Sequence, residues 1–133
     1  MLAVMKTMSG AGRLRILIVD DSRHFLDAAC RVLERDGITV VGVASTSAEA
    51  RQLARELRPD GILVDVDLGD ESGLDLAREI VSSEGLPVVL ISAYPESELA
   101  DLIAASPAVG FISKSDLSGS AVQSLILPER GPH

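Results

Sequence analysis

A few polar side chains draw attention because each closes a run of apolar residues. Asp20 and Asp21 follow the run at residues 14–19, and Asp65 ends the run at 61–66, with Asp67 two positions on. Ser92 follows the run at 87–91, and Lys114 comes just after the run at 109–112. If these ends share one rim, three carboxylates meet an ammonium and a hydroxyl. Two carboxylates ~4 Å apart repel by ~4 kcal/mol at an effective dielectric of ~20. Such a cluster demands a counter-ion or a raised pKa. A hard divalent cation with oxygen ligands suits it, and Mg²⁺ prefers one or two carboxylates together with a phosphate. Lysine adds a compact charge with three donors, and serine adds a small hydroxyl. Together they make a clamp for a transferring phosphoryl group.

The shared rim follows from the elements that carry these residues. Residues 23–35 place Phe25, Leu26, Ala29, Val32 and Leu33 at helical spacing, and Gly37 suits the helix end. The β-branched stretch 38–44 reads as a strand. Thr46 and Glu49 have capping-box spacing, a second helix follows through Leu57, and Pro59 stops it. Leu74, Ala77, Ile80 and Val81 mark a third helix. A fourth spans 95–104 with Pro95 in its first turn, and a last one carries Leu117, Ala121, Val122, Leu125 and Ile126. The order is strand then helix, five times over. Strands that are apolar throughout are buried on both faces, the mark of a parallel sheet between helices. The expected fold is a doubly wound, five-stranded parallel α/β sheet of flavodoxin-like order 2-1-3-4-5. Ligands of such sheets sit beyond the carboxyl ends of the strands, where all of the residues above lie.

Composition excludes several roles. The 133 residues hold Lys+Arg 12 against Asp+Glu 20, a net charge of −8, so direct nucleic-acid binding is not expected. Aromatics are 2% of the chain, too few to form a base-stacking platform. No apolar run is long enough to span a membrane. The single cysteine, Cys30, has no internal partner and reads as packing, so a cytoplasmic location is expected. His24 reads as an exposed helix residue. Residues 1–13 are expected to be a flexible leader, 14–127 the domain, and 128–133 a disordered tail.

The segments ILIVDDS (16–22), ILVDVDLGDESGLDL (62–76), VVLISAY (88–94) and GFISKSDL (110–117) together resemble the receiver domain of two-component response regulators. The resemblance runs across nearly the whole chain. It implies that Asp65 is the phosphoacceptor, taking a phosphoryl group from a histidine kinase or histidine phosphotransfer protein. Asp20 and Asp21 would hold Mg²⁺, Asp21 directly and Asp20 through water, with Asp65 and the backbone carbonyl of Asp67 completing the protein ligands. Lys114 and Ser92 would meet phosphoryl oxygens. Phe111 would act with Ser92 as a switch, unless it is simple core, and the Asp67 side chain and Tyr94 would tune hydrolysis. The chain would be a phosphoacceptor with slow autodephosphorylation rather than a turnover enzyme.

Receiver domains often carry proline directly after the lysine and four residues after the acceptor. Here Ser115 and Gly69 stand at those places, while Gly73 matches the usual later glycine. The loops are therefore expected to differ in shape. No output domain is expected after the last helix, so the signal would pass to an unidentified downstream protein. That helix lacks Lys and Arg, which points to a monomer or weak dimer. Two other readings compete. One is a receiver-like scaffold that binds partners without phosphorylation. The other is a haloacid-dehalogenase-type phosphatase, suggested by Asp65-Val66-Asp67, which leaves the early aspartate pair unexplained.

Overall fold

The computed structural model describes residues 13–127. The expected leader and tail lie outside the described residues, apart from Arg13, which is exposed. Five parallel strands form the central sheet: β1 (Arg15–Val19), β2 (Thr39–Ala44), β3 (Gly61–Asp65), β6 (Val88–Ser92) and β7 (Gly110–Ser113). Their order is β2-β1-β3-β6-β7, which is the expected 2-1-3-4-5 when only the sheet strands are counted. Between β3 and β6 lies a small antiparallel hairpin, β4 (Asp67–Leu68) and β5 (Glu71–Ser72), that the sequence reading did not foresee. Five helices complete the chain: α1 (Arg23–Arg35), α2 (Ser47–Leu57), α3 (Gly73–Glu84), α4 (Glu96–Ala104) and α5 (Gly119–Ile126).

Alternation along each strand divides the core into two halves. Leu17, Val19, Ile62, Val64, Val88 and Leu90 pack on one face with Ala50 and Ala54 of α2 and Leu76, Ala77 and Ile80 of α3. Ile16, Ile18, Leu63, Val89, Ile91 and Ile112 pack on the other, against Leu26, Ala29 and Leu33 of α1 and Val122 and Ile126 of α5. β3 and β6 are buried along their whole length, as expected for central parallel strands. α4 has no fully buried residue and is the most loosely seated helix.

The edges of the elements differ from expectation in small, explicable ways. Pro95 is the N-cap of α4 rather than a first-turn residue, and it offers no side-chain cap. The last helix begins at Gly119, because Ser118 caps it by accepting the Ala121 N–H at 3.1 Å. A 3₁₀ turn, Lys114–Asp116, takes up the chain between β7 and that helix. Glu49 accepts from the Ser45 N–H at 2.9 Å, one residue earlier than a strict capping box requires. Arg58 ends α2 in a left-handed conformation, φ 44, and Pro59 follows it.

Candidate functional site

The parallel strands all end on one side, and the next residues form the rim there. Asp20 directly follows β1 and is fully buried. Its backbone N–H donates to the Ala44 carbonyl at 3.0 Å, tying the end of β1 to β2. Its Oδ1 accepts the Ser22 N–H at 2.9 Å, which also seats the N-cap of α1. Asp65 is the last residue of β3 and is 5% exposed. Its Oδ1 accepts the Asp67 N–H at 3.1 Å. Ser92 is the last residue of β6 and is also buried. Its hydroxyl oxygen accepts the Tyr94 N–H at 2.9 Å, leaving the hydroxyl proton free to point at the rim.

Lys114 joins these strands. It opens the 3₁₀ turn after β7, and its Nζ lies 2.7 Å from Asp20 Oδ2 and 3.1 Å from Asp65 Oδ2. Asp20 Oδ2 is shut off from solvent and takes no well-angled hydrogen bond among the described residues, so the ammonium is its one charge partner. Oxygens of Asp20, Asp21 and Asp65 lie within 4.8 Å of one another. A cavity of about 250 Å³ opens over them, lined by Asp21, Asp65, Asp67, Gly69, Ser92, Ala93, Tyr94 and Lys114. A larger cleft of about 640 Å³ lies between α3 and the end of α4, but its lining brings no cluster of acids to a lysine.

The electrostatics follow from burial. Asp65 is pushed up to about 6, first by desolvation and then by the Asp20 charge, while the Asp67 N–H and Lys114 oppose the rise. For Lys114, burial alone pulls downward, but the neighbouring carboxylates of Asp20 and Asp65 outweigh it and hold the amine above its ordinary value. Three carboxylates against one ammonium leave the cluster negative. An oxygen-only donor set, a negative excess and a shielded Asp20 oxygen together fit a hard divalent cation.

The cavity thus gathers Asp21, Asp65, Asp67, Ser92, Tyr94 and Lys114, with Asp20 beneath it. Phe111 does not line it. That ring is half-buried and packs against the α2–α3 side of the core. The Asp67 carboxylate is exposed and accepts the Gly69 N–H at 3.1 Å. Gly69 adopts φ +75, a conformation closed to the proline usual at that place. The Cys30 thiol is raised, by burial first and then by Glu34 and Asp27, as suits a packing residue. Sequence reasoning overlooked Phe25, whose ring lies 4.4 Å from Lys114 Nζ. Helical periodicity placed it on a core-facing stripe and could not show which polar group the ring meets.

Comparison with known proteins agrees with this geometry. The family model for the response regulator receiver domain matches residues 16–121. A protein-glutamate methylesterase/protein-glutamine glutaminase from Syntrophomonas wolfei is 36% identical over 107 residues, covering 80% of this chain and 31% of its own length. The response regulator GacA from Pseudomonas viridiflava is 31% identical over 116 residues, covering 86% of this chain and 54% of its own length. The chain therefore spans only about a third to a half of these curated relatives. Among solved structures, the signal receiver domain of NarL from Mycobacterium tuberculosis superposes with TM-score 0.79 at 27% identity, covering 88% of this chain and 98% of that one. By its fold, its rim of strand-end residues and these matches, the chain belongs to the receiver domains of two-component response regulators.

Proposed function

We propose that Asp65 accepts a phosphoryl group from a phosphohistidine on a histidine kinase or phosphotransfer protein, and that the altered rim then signals to a protein partner. The observation that carries this reading is the Asp65 carboxylate at the cavity floor, 3.1 Å from the Lys114 ammonium and within 4.8 Å of two further aspartates. A carboxylate oxygen of Asp65 attacks phosphorus, the new O–P bond gives an acyl phosphate, and the P–N bond breaks. The departing imidazole keeps the electron pair and takes its proton from solvent.

The chain's own groups have distinct tasks. Lys114 shifts from Asp65 Oδ2 to a phosphoryl oxygen while keeping Asp20 as its anchor. Ser92 donates its hydroxyl proton to another phosphoryl oxygen. Asp21, Asp65 and the Asp67 backbone carbonyl would hold Mg²⁺, with Asp20 acting through water. When bound, the ion neutralises charge on the carboxylates and the phosphoryl oxygens. The Asp67 side chain and exposed Tyr94 stand at the rim, where they set water access and so the lifetime of the adduct. Movement of Ser92 toward Asp65 frees space that Phe111 fills, coupling the charge event to the β7 face. The cytoplasm is the compartment in which such a donor is met. Monomer or weak dimer is the state we assign, since α5 carries no Lys or Arg.

The test is incubation with acetyl phosphate and Mg²⁺. A single acid-stable, base-labile adduct on Asp65, lost in Asp65→Asn, is expected. An unlabelled protein would leave only a phosphorylation-independent scaffold. Continuous release of phosphate from small esters would point instead to a phosphatase.

A further inference from the structure

We propose that Phe25 is a positioning residue for Lys114, its ring forming the third wall of the seat that holds the ammonium. The Nζ lies 4.4 Å from the centroid of the Phe25 ring, within cation–π range. A lysine ammonium has three donor directions. Asp65 Oδ2 accepts along one of them at 3.1 Å, Asp20 Oδ2 pairs with the charge at 2.7 Å without a well-angled hydrogen bond, and the Phe25 ring adds a third contact.

The ring is itself held in place. Phe25 stands in the first turn of α1, and its N–H donates to Ser22 Oγ at 3.2 Å. The Ser22 N–H donates in turn to Asp20 Oδ1 at 2.9 Å. Asp20, Ser22, Phe25 and Lys114 thus form a closed circuit in which the same carboxylate sets the helix cap and anchors the lysine. The ring also packs against the α1–α5 side of the core, so it is braced from behind.

This arrangement matters when Asp65 is modified, and the inference therefore rests on the phosphoacceptor reading above. Formation of the acyl phosphate turns the Asp65 carboxylate into a mixed anhydride, so Lys114 loses that carboxylate as a partner and turns to the charged phosphoryl oxygens. Asp20 and the ring remain, and they keep a flexible four-carbon side chain pointed at the incoming group. Loss of a partly desolvated cation–π contact is expected to slow the reaction about 3- to 10-fold.

The experiment compares wild type with Phe25→Leu and Phe25→Tyr. The first removes the ring but keeps an apolar side chain, and the second keeps the ring. The first readout is the proton chemical shift of the Lys114 ε-methylene in unphosphorylated protein, since a proton above an aromatic face is shielded. The second is the rate of Asp65 labelling by saturating acetyl phosphate with Mg²⁺. Wild type and Phe25→Tyr should show a shielded ε-methylene and label within about twofold of each other. Phe25→Leu should lose the shielding and label about 3- to 10-fold more slowly. An unshielded ε-methylene in wild type overturns the proposal. So does Phe25→Leu labelling at the wild-type rate, or equal slowing in Phe25→Leu and Phe25→Tyr. If Phe25→Leu does not fold, Phe25→Met takes its place under the same criteria. A wild type that takes no label would defeat the phosphoacceptor reading, while the shielding would still decide the contact.

Discussion

Asp65→Asn should make the metal-free protein more stable at neutral pH, although it removes a buried ion-pair partner. The native Asp65 carboxyl titrates at about 6, against 3.8 for an ordinary aspartate, because burial and the Asp20 charge outweigh the Asp67 N–H and Lys114. For an acid raised in this way, the native state holds the proton more tightly than the unfolded chain does. Stability from this group is therefore complete below pH 3.8, falls between 3.8 and about 6, and stays low above that. A gap of roughly two pH units corresponds to at most ~3 kcal/mol, at ~1.36 kcal/mol per unit. Solvent entering the open side of the cavity screens part of this, so ~1–3 kcal/mol is the expected gain in the variant at pH 7. For a domain of this size that is a rise of ~4–10 °C in Tm. The assay is thermal unfolding of both proteins in chelator at a series of pH values. The variant and the wild type should coincide near pH 4 and separate progressively up to pH 7. Adding Mg²⁺ should then close the gap from the wild-type side. Binding at ten times Kd contributes ~1.4 kcal/mol, and the variant lacks one of the proposed ligands. A variant less stable than wild type in chelator at pH 7, or a gap independent of pH, would refute the reasoning about the acid cluster.

Two further outcomes concern the same rim. Lys114→Met keeps the stem but leaves the buried Asp20 Oδ2 without its counter-charge, so chemical denaturation should show a loss of ~3–5 kcal/mol. Adding Asp20→Asn should recover part of it, and simple additivity would deny the coupling. Gly73→Ala places a β-carbon against the Asp65 carbonyl oxygen, which is backbone and cannot swing aside. A loss of ~1–3 kcal/mol in unfolding free energy is expected, with slower acetyl-phosphate labelling because the displaced residue is the proposed acceptor.

Legibility of the chain depended on how local each determinant was. The α1 boundaries, Arg23–Arg35, are readable because Ser22, the apolar stripe and Gly37 all lie within a few residues of the element they define. The rim is readable for a different reason. A parallel sheet sends every strand's carboxyl end to one side, so finding the polar residue at each strand end already names the residues that meet. Asp20, Asp65, Ser92 and Lys114 required no side-chain coordinates to be grouped. What remained hidden depends on distances between elements that sequence periodicity does not carry. The hairpin of β4 and β5 rests on the φ +75 turn at Gly69 and on the close seating of Gly73 against Asp65. The aromatic contact of Lys114 joins the first turn of α1 to the end of β7, 89 positions apart by residue numbers 25 and 114. A stripe of apolar residues shows that Phe25 faces inward. Only the packing of α1 beside β1 shows that inward, at that turn, means toward the ammonium. The least local part of the site is therefore the part where a new residue role emerged.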